Sequence, residues 1–218
     1  MSTSKETIQK LLTDSPYSAS NQAPLEAYVD AEAKGDAPYF MDANRSLLKL
    51  YQFFPQSANE SKYALVLLLS LLQFPSTDLL ALSYLVPERI QTTEPCATIL
   101  KCANLLDACQ FEEFWTTLGG IQGDDQCKSL ASGSTNRLQT TIAEVLALSY
   151  RTAALSMVLS ALNLKAGDAL VKMACVESVT GDVVTFVTTA DNTKRNRVFQ
   201  EGVNFAAISS MMGKVTSE

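Results

Sequence analysis

Apolar residues recur every three or four positions through most of the chain, which is the spacing of amphipathic helices. A first helix is predicted over residues 24–34, where Pro24 suits the first turn and Gly35 supplies a stop. A second is predicted to start with Asp42 as its N-cap and to end before Pro55. The first part of the chain therefore begins with a pair of helices.

The segment 61–74 is apolar on almost every side, so in a folded protein it predicts a helix packed on several faces. We expect it to be the central helix of the first half. Pro75 closes it, and Ser76 or Thr77 can cap a further helix that runs to Pro87.

Two more sets of apolar residues at helical spacing follow, each of which predicts a buried stripe along one helix. Ile99, Cys102, Leu106 and Cys109 fall at helical spacing, and a second set recurs over residues 111–118. We interpret Cys102 and Cys109 as small buried hydrophobes on a core face rather than as reactive thiols.

Residues 119–136 combine glycine, serine and acidic side chains without apolar periodicity, and we predict a flexible loop there. The glycines at 119, 120 and 123 do not predict a phosphate-binding loop, because they follow a helix and lack the Gly-Lys-Ser/Thr ending.

Helical spacing returns over residues 138–145 and 155–162, and then the period changes. A short helix is predicted from Gly167 or Asp168 through Val176, followed by a β-branched strand over 183–188. A turn at Asp191 and Asn192 would lead into a returning strand over 197–199, and a last short helix is predicted over 205–212. Helix, turn, helix and hairpin are the layout of a winged helix.

The predicted fold class is therefore mostly α, with a HEAT-like helical-repeat domain followed by a small winged-helix (α+β) module. We place the first domain at residues 1–136, including the loop at 119–136. The second is placed at residues 137–218 and ends in the C-terminal helix.

Composition narrows the classes of function that this chain can have. The 218 residues carry a net charge of −6, which disfavours general nucleic-acid binding, and they include no histidine, the commonest general base and zinc ligand. Five cysteines without paired CxxC spacing suit reduced thiols. The start has no apolar signal core and no stretch is long enough for a membrane span, so we expect a cytoplasmic protein without a membrane partner. No nucleophile, general base or cofactor loop converges in the sequence. We therefore expect that the protein is not an enzyme and has no cofactor, metal or small-molecule substrate.

Two sets of residues in the predicted winged-helix module are candidates for contact with a partner. The first is apolar and β-branched, and the alternative that it completes the module's own core stays open. The second is basic and lies in the predicted wing, where RNA contact is possible but solvated charges or protein contacts are favoured. The protein-interface candidates are Thr185, Phe186, Val187, Val198, Phe199, Met211 and Met212, and the RNA-contact candidates are Lys194, Arg195 and Arg197.

Three blocks of sequence carry a family resemblance: LEAYV at 25–29, LKLYQF at 48–53 and NLLDACQFEEFW at 104–115. In order and spacing they resemble the k subunits of eukaryotic translation initiation factor 3, which belong to the PCI family. The 119–136 segment looks unlike that family, and Met173 and Val179 stand where its winged helix is expected to carry aromatic side chains.

This resemblance implies a helical-repeat domain followed by a winged helix, and a non-catalytic role in a multisubunit assembly. It implies other subunits of eukaryotic translation initiation factor 3 as partners, especially subunit l. It also implies contact with the small ribosomal subunit through the complex. The family has no catalytic residues to transfer to this chain.

Overall fold

The computed structural model describes residues 4–121, 125–165, 170–171, 173–193 and 208–209. This part of the chain is mostly helical, with one small antiparallel sheet. Its helices are α1 (Lys5–Asp14), α2 (Gln22–Lys34), α3 (Met41–Phe53), α4 (Glu60–Leu71), α5 (Asp78–Ser83), α6 (Glu88–Gln91), α7 (Cys96–Asp107), α8 (Phe111–Gly119), α9 (Asp125–Gly133), α10 (Thr135–Ser149) and α11 (Leu155–Leu162). Its strands are β1 (Thr152–Ala154), β2 (Val176–Thr180) and β3 (Val183–Phe186).

Helix α4 is the centre of the helical part, as predicted. Every residue from Tyr63 to Leu71 is buried, and the helix packs against α2, α3, α5, α7 and α9. Asn59 caps it by accepting a hydrogen bond from the backbone N–H of Ser61. A helical stretch that is apolar on all sides is stable in water only when its neighbours cover it, and here they cover Tyr63 to Leu71.

Several predicted helices are confirmed with small shifts. Helix α2 ends where Gly35 adopts φ +82°, a conformation that costs a residue with a Cβ atom much more than glycine. Helix α3 starts at Met41 with Phe40 as its N-cap, so the prediction of Asp42 as N-cap is wrong. Asp42 instead lies in the first turn, where it pairs with Arg45.

Three of the described helices, α1, the short α6 and α9, lie where the sequence predicted none or predicted a loop. Helix α1 lies in the polar lead-in, where Ile8 is fully buried between exposed residues. The interpretation of residues 119–136 as a flexible loop is wrong for α9 and for the start of α10. The small residues Cys127 and Ala131 form a buried stripe at i and i+4 that packs α9 against α2 and α4.

The predicted burial of both cysteines in the 99–109 stripe is half right. Cys102 is buried, and burial raises the pKa of its thiol to about 11, which suits an inert core residue. Cys109 is exposed, because α7 ends at Asp107 and the chain turns through φ +56° at Cys109. Cys96, Cys102, Cys109 and Cys175 are free thiols.

The prediction of a short helix through Val176 is wrong at its end, since β2 starts at that residue. The predicted start of that helix, at Gly167 or Asp168, lies outside the described part of the chain. Of the predicted last helix over 205–212, only residues 208 and 209 are described, and both are helical. Within the described ranges, no helix combines the length and the apolar character needed to cross a bilayer.

One buried carboxyl group joins α2 to α3. Glu32 is 5% exposed. Its carboxylate accepts hydrogen bonds from the backbone N–H of Phe40 at 2.7 Å and from Nδ2 of Asn44 at 2.9 Å. A carboxylate at a helix N-terminus is favourable, but burial is the larger influence and raises the pKa of Glu32 to about 7. The buried Oδ1 of Asn44 has no partner among the described residues, and a protonated Glu32 could donate to it once the amide rotates.

Replacing Glu32 by Gln should remove a specific pH dependence of stability. Because the folded pKa is raised, the proton on Glu32 stabilises the native state fully below the usual glutamate pKa. This contribution is lost as pH rises through about 7. As pH rises from about 4.5 to 8, wild type should lose roughly 2 to 3 kcal/mol of unfolding free energy that the Glu32→Gln variant keeps.

The measurement is urea unfolding followed by circular dichroism across that pH range. Glu88→Gln, on an exposed glutamate, is the matched control and should parallel wild type. If the unfolding free energies of wild type and Glu32→Gln change in parallel with pH, the raised pKa of Glu32 is contradicted.

Candidate interaction surface

The three strands form a sheet in the order β1-β3-β2, with both neighbours antiparallel to β3. Gly181, at φ +60°, starts the tight turn that joins β2 to β3. The hairpin partner of β3 is thus the strand that precedes it. The returning strand predicted at residues 197–199 lies outside the described part of the chain.

The register of the sheet decides which side chains point outward. Val184 and Phe186 are completely buried against the helices, whereas Val183 and Val187 are 45% and 41% exposed. Thr185 lies on the same outer side and is half-buried. Phe186 therefore packs in the core and not on the surface, because three consecutive strand residues cannot all face one side.

The outer face of the sheet carries no charge on the side chains that the register aligns there. Thr185 pairs with Thr152 on one side and with Ser178 on the other, and Val183 pairs with Ala154 and Thr180. Glu177 falls at an irregularity between two paired positions of β2 and forms an ion pair with Arg151 at 2.9 Å. A row of small, uncharged and β-branched side chains suits contact with another protein more than contact with a phosphate backbone.

Helix α11 fixes the sheet to the helical part. Its last four carbonyl oxygens need partners that the helix itself cannot supply. Those of Leu159 and Ser160 accept from the backbone N–H groups of Leu164 and Asn163. The other two accept from side chains of neighbouring helices: Ala161 O from Nε1 of Trp115 at 2.8 Å, and Leu162 O from Nε2 of Gln139 at 2.9 Å.

The remaining sequence-predicted site residues lie outside the described part of the chain. Val198, Phe199, Met211 and Met212 lie outside it, as do Lys194, Arg195 and Arg197. Asn192, at the predicted turn, donates from Nδ2 to the carbonyls of Val187 and Ala147 and so ties the end of the sheet to α10. In the described ranges no group of three or more Cys, Asp or Glu side chains is arranged to hold a metal ion.

Sequence reasoning missed β1 and the outward positions Val183, Thr152 and Ser178. The period-two alternation of Val183, Thr185 and Val187 is a signal that could have found part of this surface. The exposed face of β1 carries no comparable signal, because Thr152–Ala154 is short and follows a helix almost directly.

Comparison with known proteins identifies the family to which the chain belongs. The family model described as the CSN8/PSMD8/EIF3K family matches residues 57–178, which run from the turn before α4 into β2. The chain therefore belongs to the CSN8/PSMD8/EIF3K family, and the predicted resemblance is confirmed.

Among its relatives are three proteins named eukaryotic translation initiation factor 3 subunit K. That of Dictyostelium discoideum is 33% identical over 159 residues, covering 73% of this chain and 62% of the relative. That of Xenopus laevis is 38% identical over 102 residues, covering 47% and 46% respectively. That of Culex quinquefasciatus is 30% identical over 145 residues, covering 66% and 64%. The chain thus spans about half to two thirds of the length of these relatives.

Replacing Trp115 by Phe should weaken the attachment of α11. The variant keeps an aromatic ring but leaves the buried carbonyl of Ala161 without its donor, which costs about 1 to 3 kcal/mol of unfolding free energy. Because Trp115 is the single tryptophan, unfolding in urea is followed by circular dichroism and not by fluorescence.

Thr116→Ala is the control, since Thr116 is the exposed neighbour on the same helix and, among the described residues, its Oγ1 bonds only to the carbonyl of Glu112. This variant should change stability by less than about 0.5 kcal/mol. Equal stabilities of Trp115→Phe and wild type would show that the indole hydrogen bond contributes nothing.

Proposed function

We propose that this chain is a non-catalytic scaffold subunit of a translation initiation factor 3 complex, acting through protein–protein contacts in assembly of the small-subunit preinitiation complex. The observation that carries the proposal is the similarity, over most of the described fold, to relatives named subunit K of that factor. On this proposal the chain works in the cytoplasm. Its partners are other subunits of the factor, subunit l first among them, and the small ribosomal subunit is reached through the complex.

The architecture supports a scaffold role. We interpret the packed helices α1 to α9 as a HEAT-like stack, and the segment from α10 to β3 as a winged helix. In the second segment, β1, α11 and the β2–β3 hairpin follow the order of that motif. The stack supplies a rigid base, and the sheet presents an uncharged outer face on it.

The interface proposed for partner subunits is the outer face of the sheet, with Val183, Thr185 and Val187 at its middle. An exposed β-branched face of this kind gains more from burial against a partner than from water. The RNA-binding alternative depends on Lys194, Arg195 and Arg197, and no contact of the described residues favours it over the protein interface.

The test is affinity purification of the tagged chain from eukaryotic cytoplasmic extract at moderate and high salt, with mass spectrometry of the bound proteins. We expect the other subunits of the initiation factor to stay bound at both salt concentrations. Small-subunit ribosomal proteins should leave at high salt, since their contacts are indirect and more electrostatic. Recovery of the chain alone, or of RNA without those subunits, would contradict the proposal.

A double variant locates the interface. Changing Val183 and Val187 to Lys places two charges on the outer face, where burial against a partner would cost each its hydration. Recovery of partner subunits should fall about tenfold or more while circular dichroism stays that of wild type.

The control variant Thr13→Lys changes an exposed residue of α1, far along the chain from the sheet, and should keep its partners. Full recovery with the double variant would place the interface on another surface.

A further inference from the structure

A second surface, separate from the outer face of the sheet, lies between three helices. The start of α8, the end of α10 and one side of α11 enclose a groove of about 510 Å³. A volume of this size holds several side chains of a bound segment. The groove's walls are helical, and no strand edge is among its described lining residues.

Hydrogen bonds hold the walls of the groove in place. The indole of Trp115 on α8 donates to the carbonyl of Ala161 on α11 at 2.8 Å, and the Ser160 hydroxyl contacts Oε2 of Glu112 at 3.3 Å. The groove is therefore formed before any partner arrives, which lowers the cost of binding.

The floor and one rim of the groove are apolar. Leu146 and Ala161 are buried at the bottom. Tyr150 is 46% exposed and Met157 is 38% exposed at the rim. An amphipathic aromatic ring and a flexible thioether that line the same groove are typical of surfaces that adapt to apolar partner side chains.

The charge of the groove selects its occupant. Glu112 and Glu113 are the charged side chains in its lining, and neither is in an ion pair among the described residues. The nearest cation along the chain, Arg151, is engaged by Glu177. An acidic rim repels nucleic acid and acidic peptides and attracts Lys and Arg.

We propose that this groove binds a basic amphipathic helix of a partner protein, with apolar side chains on the floor and Lys or Arg beside Glu112 and Glu113. Apolar anchors at i, i+3, i+4 and i+7 laid between helices are a recurring mode of peptide recognition. The inference goes beyond the proposed function, because binding by the purified chain does not depend on which complex the chain joins.

The experiment uses the purified full chain and two synthetic peptides of about 18 residues, long enough to form a helix. Both carry Leu at i, i+3, i+4 and i+7. The polar face of one is Lys, and that of the other is Glu. Fluorescence anisotropy should show micromolar binding of the Lys peptide, weakening as salt rises, and at least about tenfold weaker binding of the Glu peptide. Equal binding of the two peptides, or no binding of either, overturns the proposal.

Two variants place the binding in the groove. Glu113→Lys reverses a rim charge and should weaken the Lys peptide about fivefold or more while strengthening the Glu peptide. Ser149→Trp fills the groove from an exposed lining position and should abolish binding. Thr140→Trp is the matched control, because Thr140 is exposed on α10 about two and a half turns earlier and so faces the opposite side. Unchanged affinity in Ser149→Trp, or loss in Thr140→Trp, contradicts this location.

Cys109 supplies an independent readout. It is the exposed thiol among the described cysteines and lines the groove. Bound Lys peptide should slow alkylation of Cys109, quantified by mass spectrometry, by about fivefold or more at saturation. An unchanged alkylation rate under saturating peptide would show that the peptide binds elsewhere.

Discussion

The arrangement of the sheet on the helices depends on the hydrogen bonds that the last carbonyl oxygens of one short helix accept. Helix α11 ends in buried surroundings, and unpaired carbonyls there would cost about 1 to 3 kcal/mol each. Two are paired within the chain turn, where Asn163 adopts a left-handed conformation, and two by Trp115 and Gln139. The side chains of α8 and α10 thereby complete α11, and the three helices are held as one unit.

This unit determines where both candidate binding surfaces lie. The N-terminus of α11 follows β1 directly, and the backbone N–H of Leu155 donates to Asp182 O at 2.7 Å, so the sheet is fixed to one end of the helix. A side of the same helix forms a wall of the groove. If the two surfaces bind partners as proposed, their fixed spacing favours binding of both, because relative motion of the surfaces would raise the entropic cost.

Much of the helical part could be predicted from sequence, because α4, α7 and α8 have strong apolar patterns. Other elements could not. Helix α9 uses Cys127 and Ala131 as its buried residues, and such small side chains give little periodic signal among serine and glycine. The exposure of Cys109 depends on a backbone conformation that the spacing of apolar residues does not reveal.

The candidate surface was predicted only in part. Val183 to Phe186 reads as a strand from its β-branched residues, but its partner was missed because Val176 was assigned to a helix. The Gly181–Asp182 pair between two β-rich runs is a hairpin signal in the sequence itself. The groove has no sequence signal, since α8, α10 and α11 meet there only through tertiary packing.

The most direct test of this account is native-state hydrogen exchange of the whole chain, compared between the sheet and the central helix. The amides of Leu155 and Phe186, which donate to Asp182 O and Arg151 O, report on the sheet, and the amides of α4 report on the helical core. If α11 fixes the sheet to the helices, the opening free energies of the two groups should agree within about 1 kcal/mol. Sheet amides that open several kcal/mol more easily than those of α4 would show two independent bodies and contradict the account.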